Sequence, residues 1–146
     1  VCSSDLCFEH FNVLGLTKVH FNVKNSWFTG EAELVTYQFE ELLGTKLRAL
    51  YQRKKGRDLF DLYVALQRKE VNTSKVLECY KRYMEFVVDK APSYKQFVNN
   101  MQEKLADSEF TDDTLTLLRP GISFNAHEAY PFIYDNFIDK MEGKRD

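Results

Sequence analysis

The hydrophobic period of this chain changes once, between Tyr37 and Phe39, and that change limits the folds open to it. From Thr17 to Val23 apolar and polar residues alternate strictly, with Val19, Phe21 and Val23 on one side and Lys18, His20 and Asn22 on the other. A two-residue period is that of a half-buried strand. Asn25, Ser26 and Gly30 supply turn chemistry. Glu31 to Tyr37 extends again through Ala32, Leu34 and Thr36, which predicts an antiparallel pair. Two strands alone are marginal, so the pair needs a further strand or a covering helix. From Gln38 the period becomes helical, as Phe39, Leu42, Leu43, Leu47, Leu50 and Tyr51 recur at steps of three and four. The expected fold class is α+β and predominantly helical, a short antiparallel strand pair followed by a helical bundle.

Gly44 interrupts the first helix without breaking it, and Gly56 is predicted to stop it in a left-handed C′ conformation. A second helix carries Leu59, Leu62, Tyr63 and Leu66 on one face. A third runs from Thr73 to Asp89 with Val76, Tyr80, Tyr83 and Val87 inward. Pro92 separates it from a fourth, capped by Ser93 and carrying Phe97, Met101 and Leu105. Thr111 is placed as the cap of a short turn containing Leu115 and Leu118. Pro120-Gly121 punctuates the chain. Asn125 with Glu128 resembles a capping box for the last helix, in which Pro131 marks either a kink or the true start. Ile133, Phe137, Ile138 and Met141 continue its apolar face, and the polar tail Gly143–Asp146 is expected to fray.

The chain has 146 residues, 44% hydrophobic and 29% charged. That suits one globular domain and excludes a collagenous repeat, a long disordered tail or a disulfide-dense mini-protein. A net charge of -2 argues against a globally basic nucleic-acid coat. No apolar run is long enough to span a bilayer. Cys2, Cys7 and Cys79 fit no zinc spacing and leave an odd thiol, which points to a reducing, cytoplasmic setting. Val1 to Leu6 form no signal peptide. They read like a translated sequencing adapter joined to a truncated reading frame, so residues 1–6 are set aside as non-native. Residues 7–37 are expected to be remnant strands of a larger core, and 38–146 a helical C-terminal region.

Lys46 falls in the stripe of Phe39, Leu43 and Leu50. A lysine there either snorkels out or meets an anionic partner, because burial disfavours its charge. Arg53 lies two turns on, on the same side, with Lys54, Lys55 and Arg57 following. Lys54 and Lys55 read as ordinary charges in a last helical turn, complementing its dipole, and Arg48 as a solvated or salt-bridged flank. Asp58 and Asp61, three apart, share a helix face. They can hold a divalent cation, orient a base, or pair with Lys46 and Arg57. Asp58 also sits where an N-cap belongs, with Asp61 in the first turn. His10, His20 and His127 are scattered, with His20 facing solvent. Cys79 reads as core rather than nucleophile. Trp27 and Phe28 read as a loop anchor, or else as a contact patch.

The stretch ELLGTKLRALYQRKKGRDLFDLY, from Glu41 to Tyr63, strongly resembles the signature of the AbiEii/AbiGii toxin family of nucleotidyltransferases. Weaker similarity covers Glu9-His10-Phe11, Val13-Leu14-Gly15, the segment ending at Trp27-Phe28, and Arg119-Pro120-Gly121. The resemblance implies the C-terminal part of a polymerase-β-like fold in a toxin of a bacterial abortive-infection, phage-defence, type IV-like toxin–antitoxin system. It implies transfer of a nucleotide from a nucleoside triphosphate, GTP first, to an RNA acceptor such as tRNA, with Mg2+ as cofactor. It implies a cognate antitoxin, whose neutralising action does not require direct contact. By the same resemblance Lys46 matches the family's lysine, and Arg57, Asp58 and Asp61 its arginine–aspartate motif. Catalytic roles fall to Lys46, Asp58 and Asp61, nucleotide binding to Lys46, Arg53 and Arg57, and metal binding to none of them.

The family's Gly-Ser followed by spaced acids is not in this sequence, and a further acidic strand would end just before Cys7. Without those carboxylates two metals cannot be held across a triphosphate, so this chain is expected to be inactive alone. The competing reading is a non-catalytic helical protein-interaction module, which the amphipathic helices and near-neutral charge suit equally well. A nucleic-acid-binding domain has only the Lys46–Arg57 cluster behind it.

Overall fold

The computed structural model describes residues 12–141. Readings that concern Cys2, Cys7, Glu9, His10, the first six residues and the tail from Gly143 lie outside them.

Strand β1 (Leu16–Lys24) and strand β2 (Thr29–Tyr37) pair antiparallel, Val19 opposite Leu34 and Phe21 opposite Ala32. The antiparallel pair is as expected, and the structure adds its register. The turn is held by the Asn25 side chain, whose Oδ1 accepts from the amides of Trp27 and Phe28, each at 2.9 Å. Two expectations fail here. Among the described residues the apolar face of Val19, Phe21 and Leu34 is exposed rather than half-buried, because a period of two fixes which residues share a face but not what covers it. Trp27 is 95% exposed and Phe28 is exposed too, so neither anchors the loop; the Asn25 bonds hold it instead. On the other face Lys18 pairs with Glu33 and His20 with Glu31.

Helix α1 (Phe39–Gln52) packs on α3 (Thr73–Val88), and α2 (Gly56–Arg68) on α6 (Ala126–Asn136). Helix α4 (Tyr94–Leu105) and the short α5 (Ser108–Thr111) close the bundle with a 3-10 turn at Ile138–Lys140. One core joins Leu43, Leu47 and Leu50 to Leu59 and Leu62, Val76 and Met84, Phe97 and Met101, Phe110, Ile133 and Phe137. The α1–α3 contact is close because Gly44 faces it. A Cβ there would stand 2.6 Å from Cys79 Cβ. The chain is therefore α+β and predominantly helical, with its core in the helices.

Ser93 caps α4 in a reciprocal box with Gln96. Asn125 caps α6 by accepting from His127, and its amide donates to Glu128 rather than closing the backbone box. The helix begins at Ala126 and runs through Pro131. Val87 is exposed. It lies one turn beyond Tyr83, which already meets Glu41 near the start of α1, so the partner helix has ended there. Thr111 is the last residue of α5, which Asp107 caps, and the turn expected around Leu115 follows it at residues 112–117, with Leu115 exposed. Arg48 is buried over the Tyr83 ring, 5.5 Å from its centroid, and is not a solvated flank. Gly56 does not end α1. It opens α2, where a Cβ would stand 2.1 Å from the Phe110 carbonyl oxygen, and its backbone is not left-handed.

Candidate functional site

Helix α1 releases the chain at Gln52, and residues 53–55 turn it into α2. Arg53 is extended, with φ -108° and ψ 153°. That conformation carries its side chain back across the turn onto Asp58. The guanidinium donates from Nη2 to Oδ1 at 2.8 Å and Oδ2 at 3.1 Å, and from Nε to Oδ2 at 3.3 Å. Such a fork on one carboxylate is the strongest form of ion pair available to side chains.

Asp58 is not the N-cap of α2. Lys55 occupies that position, and Asp58 lies three residues in, with its side chain 0% exposed. The helix dipole still favours a negative charge there, but burial is the dominant fact. A carboxylate out of water needs compensating partners, and Arg53 and Lys46 provide them. The Lys46 ammonium stands 3.5 Å from Asp58 Oδ1 and 2.7 Å from Asp61 Oδ2. The four side chains therefore run Arg53, Asp58, Lys46, Asp61. Arg53, Lys46 and Asp61 are 35%, 39% and 44% exposed, so the row has one sealed member and three that reach solvent.

The remaining predicted residue stands outside this row. Arg57 is exposed, and its backbone N–H donates to Asp113 at 3.2 Å. Lys54 and Lys55 leave the helical turn expected of them. They lie in the connector, Lys54 on Asp107 and Glu109, Lys55 on Asp113 at 3.8 Å. The Asp107 carboxyl is held below its ordinary value by the Lys54 ammonium.

Two buried charges escaped the sequence reading. Glu41, fully buried, accepts from the amides of Val13 at 2.7 Å and Leu14 at 3.0 Å and from the Tyr83 hydroxyl at 2.7 Å. Lys104 is 7% exposed and donates to the carbonyls of Leu50 and of Tyr51, the latter at 2.7 Å. Burial pushes the Lys104 ammonium down to about 8, against the pull of the Asp58 charge. A signal for Lys104 existed: it follows Phe97 and Met101 at helical spacing, the argument that singled out Lys46.

The chemistry of this row is charge positioning. Among the described residues no group of three or more His, Cys, Asp or Glu side chains gathers as a metal site. Asp58 and Asp61 are taken by cations, so these residues do not fit a metal centre. Cys79 is buried, and burial pushes its thiol up to about 12, which leaves no thiolate nucleophile at neutral pH. His20 and His127 are exposed. Among the described residues no helix is long and apolar enough to cross a membrane.

Comparison with known proteins gives a family match. The sequence pattern of the family described as Nucleotidyl transferase AbiEii toxin, Type IV TA system, matches residues 8–136. A search of the curated proteins and a search of the solved structures each returned no match. The matched span takes in the hairpin, the Lys46 row and the six α-helices of the described residues, and the chain belongs to the AbiEii family of nucleotidyl transferase toxins of type IV toxin–antitoxin systems.

Proposed function

We propose that this chain is the nucleotide-handling C-terminal part of a toxin that transfers a nucleotide from a nucleoside triphosphate, GTP first, to an RNA acceptor such as tRNA. The observation that carries the reading is the meeting of Lys46 with Asp58 and Asp61, backed by Arg53. Phosphoryl transfer depends on positioning and on neutralising charge. Lys46 is partly open to solvent yet oriented by two carboxylates, so it can present its ammonium to a triphosphate oxygen without reorganising. Asp61 shares the open side and can hold Lys46 or the acceptor hydroxyl. Asp58, sealed from water, acts through Lys46 and Arg53. Arg57, exposed at the start of α2, can reach phosphate oxygens as a bidentate donor.

In this reading the hairpin belongs to the nucleotidyltransferase core, and its exposed apolar face is a sheet surface awaiting that core. Residues 1–6 are a non-native addition, 7–37 belong to the core, and 38–146 to the C-terminal region. The Mg2+-binding carboxylates lie outside the present sequence, so this chain alone does not transfer nucleotides or bind GTP tightly with magnesium. The protein works in the cytoplasm in phage defence, and its antitoxin neutralises it without contact. The test is toxicity of the complete gene product. Lys46→Ala loses toxicity while staying folded, and retained toxicity removes Lys46 from the mechanism and returns the helical interaction module as the better reading.

A further inference from the structure

The last carbonyls of a helix have no later amide to bond, and they need caps, water or a side chain from elsewhere. Helix α1 has no basic residue in its own last turn, and only the carbonyl of Ala49 is met by the Arg53 amide. The carbonyls of Leu50 and Tyr51 are met by Lys104, which arrives from α4. We propose that Lys104 is a positioning residue for the Arg53–Asp58 pair, pinning the end of α1 so that the next residues deliver the Arg53 guanidinium to the buried carboxylate. The inference rests on the reading of the Lys46 row as the nucleotide-handling part of the enzyme.

Three observations support it. Arg53 follows Tyr51 by two residues and leaves the helix extended, so its side-chain position depends on where that end is held. The Asp58 charge acts on the Lys104 ammonium, opposing the burial that lowers it. A lysine is an expensive way to fill space in a core, because its charge must be desolvated. Packing alone against the Tyr51 ring, 6.0 Å from Lys104 Nζ, is served as well by methionine.

The experiment reads Arg53 directly, by NMR on the isotope-labelled chain without nucleotide. In the wild type the Arg53 Nε–H signal is slowed in exchange with water by its Asp58 bond. Lys104→Met speeds that exchange by about tenfold or more, while the amides of Leu47 and Leu62 stay protected, and Lys104→Arg restores it. An Arg53 signal in Lys104→Met that exchanges as in the wild type overturns the proposal. Should Lys104→Met not fold, the wild type carries the test. Beside Lys104 stand the carbonyls of Leu50 and Tyr51 and the Tyr51 ring, all of α1, and the Asp58 charge of α2 acts on it. On raising the pH the Arg53 15Nε shift then follows the Lys104 13Cε titration with the same midpoint, and an independent Arg53 shift overturns the proposal. Because no nucleotide is present, failure of this tether leaves the Lys46→Ala toxicity test standing, and failure of that test leaves the tether measurable.

Discussion

Arg53 and Asp58 are joined by three hydrogen bonds from one guanidinium to one carboxylate, and only Asp58 is sealed from water. Removing either partner breaks the same bonds with different consequences. Arg53→Ala strands a buried carboxylate with Lys46 at 3.5 Å as its nearest remaining partner, and is expected to cost about 3–5 kcal/mol. Asp58→Ala leaves a guanidinium that can turn to solvent, at a cost of about 1–3 kcal/mol. Urea unfolding of the two variants gives the order, and Asp58→Ala proving the more costly contradicts this account of the pair.

Glu41 gathers three donors, two from the segment ahead of β1 and one from α3. Glu41→Gln replaces one acceptor oxygen by an amide that faces a backbone N–H, at about 2–3 kcal/mol. Tyr83→Phe removes one donor, at about 1 kcal/mol. The double variant costs less than the sum, since the Tyr83 hydroxyl donates to the carboxylate whose charge the first change removes. Additive losses would mean that Tyr83 and Glu41 are held independently.

Stability should carry the signature of Lys104 at alkaline pH. Its ordinary value is 10.5 and the folded one about 8. Below the folded value both states hold the proton, and between the two values the unfolded chain holds it alone. Stability contributed by this group therefore rises with pH across that window, by up to about 1.4 kcal/mol per unit. Cys79 works in the opposite direction, from 9.0 toward about 12, so the comparison must be wild type against Lys104→Met. The difference in stability between them climbs from pH 8 to 10, and a flat difference shows that Lys104 is not held charged against a desolvation cost.

Gly44 and Gly56 are required by contact. Gly44→Ala drives a methyl into Cys79 Cβ and is expected to cost about 1–3 kcal/mol despite alanine's better helix propensity. Gly56→Ala meets a backbone oxygen, which cannot swing aside, and costs more. Thermal unfolding checks both, and a stabilised Gly44→Ala would show that α1 and α3 have room to part.

Much of the fold was legible because periodicity is a local property. The alternation from Thr17 pointed to the antiparallel hairpin, and the three-four steps to the inward faces of Leu59 and Leu62, Val76 and Tyr80, Phe97 and Met101. Lys46 was legible because its neighbours are apolar along its own helix. What the period does not encode is which face another element covers. Hence the exposed Val19 and Phe21, the buried Arg48, and Gly56 at a start rather than a stop. Asp58 read as a cap because spacing cannot show that Arg53 folds back over it. Glu41 and Lys104 find their partners 28 and 54 residues away, beyond any local pattern.

The most direct measurement is transfer of labelled GTP to total cellular RNA by the complete gene product, wild type against Lys46→Ala, with folding of both followed by circular dichroism. The account predicts a labelled RNA species with the wild type and a loss of about 100-fold or more in Lys46→Ala at unchanged fold. Label transferred equally by both proteins, or by neither, would contradict it.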